Sequence, residues 1–379
     1  MRVAIIGTRG FPNVQGGVEA HCENLCPRLA RLGCEVTVFG RKPYLKNVTV
    51  PIFYEGVKII PLACRKSKFL EAFSHTFSGL FAAKKINPDI VHIHAIGPSL
   101  MVPLARLLGM KVVMTHHGPD YERKKWGRSA RAVLRIGEAF GVRFADAVIC
   151  ISGTIASGIK KRYGRDAVVI PNGVAIPEIL SSEEALKRYG LEKDRYILAI
   201  GRFVPEKGFH DLAEAFDKLV YSPQSMARSK KIKLVIVGAA DHEDEYSRGL
   251  RKKAAKNPNI ALTGFLSGKP LQELYSHAGL FVLPSYYEGL PIVLLEAMSY
   301  GLSCVVSDIP ANREVGLQDQ RYFKPGDVRA MSAKIAEFID GSLSEEEKRR
   351  QIETVRAKYN WDDIARKTFE VYKSVCRSL

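Results

Sequence analysis

Residues 279–296 read GLFVLPSYYEGLPIVLLE. The run Leu280-Phe281-Val282-Leu283-Pro284 has the unbroken hydrophobicity of a strand buried on both faces, as the strands of parallel sheets are. Pro291 suits the first turn of a helix, where its missing N–H costs nothing, and the pattern predicts a helix over 292–300 with Leu294, Leu295 and Met298 on its buried face. This strand-loop-helix unit leaves Glu288 in the loop and puts Glu296 inside the helix. The carboxyl edge of an open α/β sheet, next to a helix N-terminus, is where such sheets bind phosphates. A carboxylate early in the helix can accept two hydroxyl hydrogen bonds from a ribose, and one in the loop can accept them from a hexose. Two solvated glutamates flanking an ordinary turn would show the same spacing, so the pair alone does not choose.

A second loop of the same kind lies upstream. Tyr196 to Gly201 (YILAIG) reads as a strand, followed by the loop of GRFVPEKG at 201–208 and a helix from Phe209 to about Val220. Arg202 and Lys207 flank this loop. Together they could neutralise a diphosphate, the arginine by a planar fork and the lysine as a point charge, although two surface cations near Glu206 are the plain alternative.

GRFVPEKG followed some eighty residues later by EGLPIVLLE resembles the retaining glycosyltransferases of family 4, which include bacterial mannosyl- and glucosyltransferases and sucrose synthases. The resemblance implies the GT-B fold: an α/β chain of two Rossmann-like, doubly wound domains facing a central cleft. It also implies roles. Glu296 would hold the nucleotide ribose, Glu288 would lie near the transferred sugar, and Arg202 and Lys207 would hold the diphosphate. Many relatives have Phe-Gly where this chain has Leu290-Pro291, and Pro291 has no N–H to donate. An amide contact to phosphate there would come from Gly289, Leu290 or residues beyond Pro291. Phe265 and Leu266 would border the base.

The rest of the chain alternates strand and helix. Strands are expected at Val3–Gly7, Glu35–Gly40, Val57–Pro61, Ile90–His94, Lys111–Thr115, Ala147–Ile151 and Ala167–Ile170, and after Tyr196 near Leu234–Gly238, Ile260–Thr263, Gly279–Pro284 and Ser303–Ser307. This pattern implies parallel, doubly wound sheets. The turn Pro171-Asn172-Gly173-Val174 is the expected boundary, giving an N-terminal domain over 1–173 and a nucleotide-sugar-binding domain over 174–360. By the same resemblance, the last helix, about 361–379, packs back on the first domain.

The loop Gly7–Gly17 follows the first strand and opens a helix near Val18. It is longer than the dinucleotide fingerprint GxGxxG and carries its paired glycines at the helix entrance. The resemblance assigns Gly16 and Gly17 to the donor diphosphate across the cleft. His92 and His94 alternate at a strand end, with His92 the better fit to a satisfied core histidine. His116 and His117 follow the strand Lys111–Thr115, where a histidine can hydrogen-bond a sugar hydroxyl or a developing charge. The family's Thr-x-His pattern maps to His117, with His116 as the fallback. Asp120 and Glu122 fit either acceptor contacts or a solvated loop.

At 379 residues the chain is long enough for two or three cores, and its 46% hydrophobic and 26% charged residues are ordinary for a globular protein. Seven scattered cysteines without CxxC spacing suit reduced thiols and a cytoplasmic protein. No window of 18 apolar residues and no signal-peptide pattern occurs. No Asp-x-Asp pair occurs either, so no metal and no other cofactor is expected, and the run Asp241–Glu245 reads as a surface helix start. The net charge is +17. Its clusters (Arg41, Lys42, Lys46; Arg65, Lys66, Lys68; Arg123, Lys124, Lys125, Arg128, Arg131 and Arg135 around Trp126) suit either peripheral attachment to an anionic membrane or a basic solvated face. No nucleic-acid recognition motif accompanies the charge.

The expected partners are therefore a nucleoside diphosphate sugar of UDP or GDP type and a glycan or lipid-linked acceptor, with no nucleic acid. GTRGFPNVQGGVE (7–19) and HHGPDYERKKWG (116–127) resemble a bacterial subgroup associated with cell-surface polysaccharide assembly. A nucleotide-sugar epimerase, another GT-B enzyme or a basic nucleic-acid-binding protein are the alternatives.

Overall fold

The structure is a computed structural model of the 379-residue chain and describes residues 1–45, 51–64, 70–123, 126–221, 232–341 and 343–377. Its contacts divide the chain into two compact units, Met1–Gly173 with Tyr359–Leu379, and Val174–Lys358. Tyr359 and Asn360 thus join the first unit together with the helix Trp361–Arg377.

The first unit is built on one sheet of eight strands: β1 (Arg2–Ile6), β2 (Glu35–Arg41), β3 (Ile52–Tyr54), β4 (Val57–Leu62), β5 (Ile90–His94), β6 (Val112–His116), β7 (Ala147–Cys150) and β8 (Val168–Val169). Their order is β3-β4-β2-β1-β5-β6-β7-β8. All neighbours run parallel except β3, which forms an antiparallel hairpin with β4 through Glu55 and Gly56, both at positive φ. The chain reverses direction across the sheet between β1 and β5, so the crevice at their carboxyl ends is this unit's switch point. Backbones come very close there: a Cβ on Gly7 (φ +105°) would lie 2.3 Å from the His94 carbonyl oxygen. Only glycine meets both the left-handed φ and the missing space.

The helix Gly17–Arg31 covers one face of this sheet and packs on Trp361–Arg377. Trp361, Ile364, Ala365, Tyr372 and Val375 enter the same core as Ile5, Cys22, Leu25 and Val36. Lys111 Nζ donates to the carbonyls of Val375 and Cys376 at 3.1 and 3.0 Å, satisfying oxygens that a helix C-terminus leaves open. The Ser378 end expected for this helix lies outside the described residues.

The second unit holds six parallel strands: β9 (Tyr196–Ile200), β10 (Lys233–Val237), β11 (Ile260–Gly264), β12 (Leu280–Leu283), β13 (Cys304–Ser307) and β14 (Tyr322–Phe323), in the order β11-β10-β9-β12-β13-β14. Every residue of β9 and β12 is buried, which accounts for their continuous apolar sequences. Ile197, Ala199, Phe209, Phe216, Leu234 and Val282 belong to one core. Here the switch point lies between β9 and β12, the strands that lead into the loops carrying Arg202, Lys207 and Glu288.

Two sequence expectations are corrected. The helix starts at Ile292 with Pro291 as its N-cap (φ −77°, ψ 102°), so Pro291 precedes the first turn and its extended ψ turns the chain into the helix. Strands β3 and β14 were not expected, because three- and two-residue strands leave too little periodicity to read.

Candidate functional site

In the second unit the loops after β9 and β12 are fastened together. Gly208 adopts φ +68°, and a Cβ there would lie 2.2 Å from the Pro284 carbonyl oxygen. The Tyr286 N–H donates to the Glu206 carbonyl at 2.9 Å. This contact brings Lys207 Nζ to 2.5 Å from Glu288 Oε1, to which Ser285 Oγ also donates at 2.6 Å. Lysine and glutamate are 17% and 11% exposed, shielded enough for the charge-assisted bond to hold both side chains in place. Tyr286 continues outward, its hydroxyl donating to Asp211 Oδ2 at 2.6 Å.

Arg202 lies on the same β9 loop and pairs with Asp241 Oδ2 at 2.9 Å. Asp241 is therefore not part of a surface acidic run, its side chain being only 20% exposed. The helix start that the sequence suggested is Glu245–Ala255, capped by Asp244, whose carboxylate accepts from the Ser247 N–H at 2.9 Å. Gly289 is half-buried and Leu290 buried between Glu288 and the helix, whereas Phe265 is 41% exposed with Leu266 half-buried beyond β11. Strand order separates β11 from the switch point by β10, so Phe265 and Leu266 flank this site and do not belong to its centre.

Glu296 projects from Ile292–Ser299 and receives a hydrogen bond from the Tyr275 hydroxyl at 2.8 Å. Tyr275 in turn stacks on Tyr300, centroids 5.0 Å apart at 12°. Burial pushes the Glu296 carboxyl up to about 7, against the opposing effect of the Tyr275 hydrogen bond. The site thus holds an acid that is easily protonated when no ligand is bound. Tyr275 is not singled out from sequence and Asp241 is read there only as the start of a surface run, since the role of each is recognisable only by its partner in space.

In the first unit, Gly16 (φ +153°) is the N-cap of Gly17–Arg31, and a Cβ there would lie 1.9 Å from Glu19 Oε2. Glu19 folds back so that its Oε1 accepts from the Arg9 N–H at 3.0 Å, which holds the Gly-rich loop closed on the helix start. Nothing stands within 4 Å of a Cβ on Gly17. His116 is fully buried, with Nε2 2.9 Å from Glu138 Oε1 and Nδ1 accepting from the Gly118 N–H. His117 is half-buried and faces His94, Nε2 to Nδ1 at 3.0 Å. Burial first, then His21, His92 and His116, hold its imidazole well below the usual histidine range, so it is neutral at pH 7 and serves as a hydrogen-bonding group. His92 is a satisfied core residue, bonded to Tyr372 Oη and Thr115 Oγ1 at 2.6 Å each. Asp120 pairs with Arg123 at 2.8 Å.

Known proteins match this chain along most of its length. Residues 181–358 match the family of glycosyl transferases group 1 and residues 15–176 match glycosyltransferase family 4, together about nine-tenths of the chain. The chain belongs to the family 4 glycosyltransferases. It is 26% identical to the putative teichuronic acid biosynthesis glycosyltransferase TuaC of Bacillus subtilis, over 94% of each chain. It is 29% identical to the UDP-Gal:alpha-D-GlcNAc-diphosphoundecaprenol alpha-1,3-galactosyltransferase of Escherichia coli, over 67% of this chain and 66% of that protein. HepE of Anabaena, crystallised with UDP-glucose, shares the fold with a TM-score of 0.79, 17% identity and coverage of 99% and 100%. The enzyme is a GT-B glycosyltransferase.

A pH dependence follows for the glycosyltransferase without ligand. A carboxyl whose folded value is raised contributes its full share of stability below about pH 4.5, and that share is lost as pH rises through about 7. The loss is at most ~3 kcal/mol. Replacing Glu296 by Gln is expected to flatten this fall in chemical denaturation curves between those pH values; identical slopes for both proteins would show that Glu296 does not titrate there.

Proposed function

We propose that this enzyme transfers a hexose from a nucleoside diphosphate sugar, with retention at the anomeric carbon, to a glycan or lipid-linked acceptor in surface polysaccharide or glycolipid synthesis. The observation that carries the reading is the Lys207–Glu288 pair across the β9/β12 switch point, with Arg202 on the same loop and Glu296 on the helix that follows. Before the donor binds, the two cations are held by carboxylates. A diphosphate would compete for Lys207 and Arg202, and release of Glu288 would free its oxygens for sugar hydroxyls. Leaving-group stabilisation by Arg202 and Lys207 would then carry most of the catalysis through an oxocarbenium-like transition state, without need of a divalent cation at the phosphates. Glu296 would accept the ribose hydroxyls, with Gly289 and Leu290 beside them. His117, neutral, would hydrogen-bond the sugar, and Gly16 and Gly17 would admit the diphosphate close to the backbone.

A uridine nucleotide is favoured by the names of the galactosyltransferase and of HepE crystallised with UDP-glucose. Retention is supported by the family motif. Seven free thiols, five of them buried, suit a reducing cytoplasm.

We also propose that the enzyme attaches to the inner face of the membrane. Among the described residues no helix is long and apolar enough to cross one. The fold breaks up the basic clusters read from sequence: Arg41 is buried and bonded to Glu71 at 2.8 Å, and Lys46, Arg65, Lys66, Lys68, Lys124 and Lys125 lie outside the described residues. What favours attachment is a row of phenylalanines on the helix Leu70–Lys85. Phe73, Phe77 and Phe81, spaced by four, are 46%, 46% and 43% exposed and lead to exposed Lys84 and Lys85. The helix Arg128–Phe144 contributes exposed Val133 and Ile136 next to exposed Arg128 and Arg135. Both helices pack on the turn Pro98–Met101. Aromatic side chains with flanking cations match an anionic interface, at about 1 kcal/mol per well-placed charge.

Two results are expected. Glu296→Ala and Lys207→Ala should each lower transferase turnover with UDP-sugars, Lys207→Ala by about 10²–10³-fold, the scale of losing one group that stabilises a developing charge; activity within a few-fold of the unmodified enzyme would overturn the assignment. In sedimentation with liposomes, binding should require anionic lipid, weaken with salt and drop when Phe77 and Phe81 become serine, and indifference to all three would remove the membrane reading.

A further inference from the structure

Three histidines from three separate segments converge at the switch point of the first unit. His94 ends β5, His117 lies just past β6, and His21 sits on the helix that follows β1. One nitrogen from each lies within 4.8 Å of the others. Each has a reason to present a lone pair. His21 Nδ1 bonds Asn172 Oδ1 at 3.0 Å, and since that oxygen only accepts, the ring proton is on Nδ1 and Nε2 is left basic. His21 Nε2 is buried and has no hydrogen-bond partner, and neither has His94 Nε2. His94 Nδ1 and His117 Nε2 stand 3.0 Å apart, a pair that must share one proton when both rings are neutral.

The rings around the cluster are already committed elsewhere. His92 packs against His94 with centroids 4.0 Å apart and the rings tilted by 31°, but both its nitrogens are taken by Tyr372 and Thr115, so it acts as a wall. Trp361 packs edge-on against His21 at 5.5 Å. His21 and His94 are 3% and 0% exposed, and burial holds both below the usual histidine range, so they are neutral donors at pH 7. His117 is the partly exposed member, through which an ion could enter.

We propose that His21, His94 and His117 form a site for a borderline transition-metal ion, Zn²⁺ or Co²⁺, with a fourth position open to water. Three neutral imidazoles suit such ions and do not suit Mg²⁺ or Ca²⁺, which require oxygen ligands. Bonds of about 2.0–2.1 Å in a tetrahedral set require small side-chain rotations to bring the nitrogens together, and the proton between His94 and His117 moves to the other nitrogen of the ring that carries it, so that each neutral ring offers one lone pair to the ion. Asn172 holds the His21 ring in the ligating tautomer, the outer role that partners of metal-bound histidines play. The ion is not part of the transfer chemistry. It takes up His117, and, resting on the function proposed for that residue, it would inhibit the enzyme by withdrawing the imidazole from the sugar.

The test is a titration of the metal-stripped full-length protein with Co²⁺, without nucleotide sugar. One equivalent should produce the visible absorption of tetrahedral Co²⁺, which Zn²⁺ then abolishes by displacement. His21→Gln and His94→Gln should each remove the absorption, and Asn172→Ala should weaken binding by about 10–100-fold. Absence of the absorption in the unmodified protein, or its survival in both glutamine variants, would overturn the site. A variant that loses its cooperative melting transition is set aside, and the unmodified protein then decides. Zn²⁺ inhibition of turnover is scored separately: intact Co²⁺ binding without inhibition would count against the role given to His117 and leave the metal site standing.

Discussion

The second unit depends on the contact between Gly208 and the Pro284 carbonyl. Two strand-end loops from opposite sides of a topological switch point can approach this closely only where one carries no side chain and tolerates a left-handed backbone. Once they touch, Lys207 and Glu288 fall within bonding distance, and charges 81 residues apart in sequence become one pair. A cation stored on a carboxylate avoids the cost of leaving a shielded charge unpaired, and an incoming anion can exchange for that partner at little net expense. The same logic applies to Arg202 and Asp241.

The first unit shows a parallel constraint with a different outcome. Gly7 lets β1 approach the end of β5, and the crevice formed there is filled with imidazoles where the second unit holds charged pairs. Burial keeps these rings neutral, which preserves their capacity to accept as well as donate. Glu138 gathers the other polar groups of this region: His116, Tyr121, Arg162 and Tyr163 all bond to it, and although burial raises its carboxyl, their combined bonds hold it below the usual value. His116 is thereby fixed as a structural residue and His117 is left to face His94 in the crevice.

Legibility from sequence followed a physical rule. The parallel strands were readable because burial on both faces demands unbroken apolar runs, and the site loops were readable because they begin where those runs stop. Arg202, Lys207, Glu288 and Glu296 were named from motifs in such loops. The partners of Arg202 and Glu296 were not, since nothing local to Asp241 distinguishes it from the neighbouring solvated acids, and nothing local to Tyr275 announces a bond to residue 296. Charge reading failed at Arg41 for the same reason: Glu71 is 30 residues away and both are buried. The histidine cluster needed two strand ends and a helix to be placed side by side before it could be seen, and the phenylalanine row needed one face of its helix to be known as uncovered.

The central claim is that cations and acids at the β9/β12 edge grip a nucleoside diphosphate sugar. A crystal structure with UDP-sugar bound tests it most directly. Phosphate oxygens should lie within hydrogen-bond distance of Arg202 and Lys207, with Lys207 withdrawn from Glu288 and the ribose hydroxyls on Glu296. Nucleotide density far from both glutamates, with the Lys207–Glu288 pair undisturbed, would contradict the account.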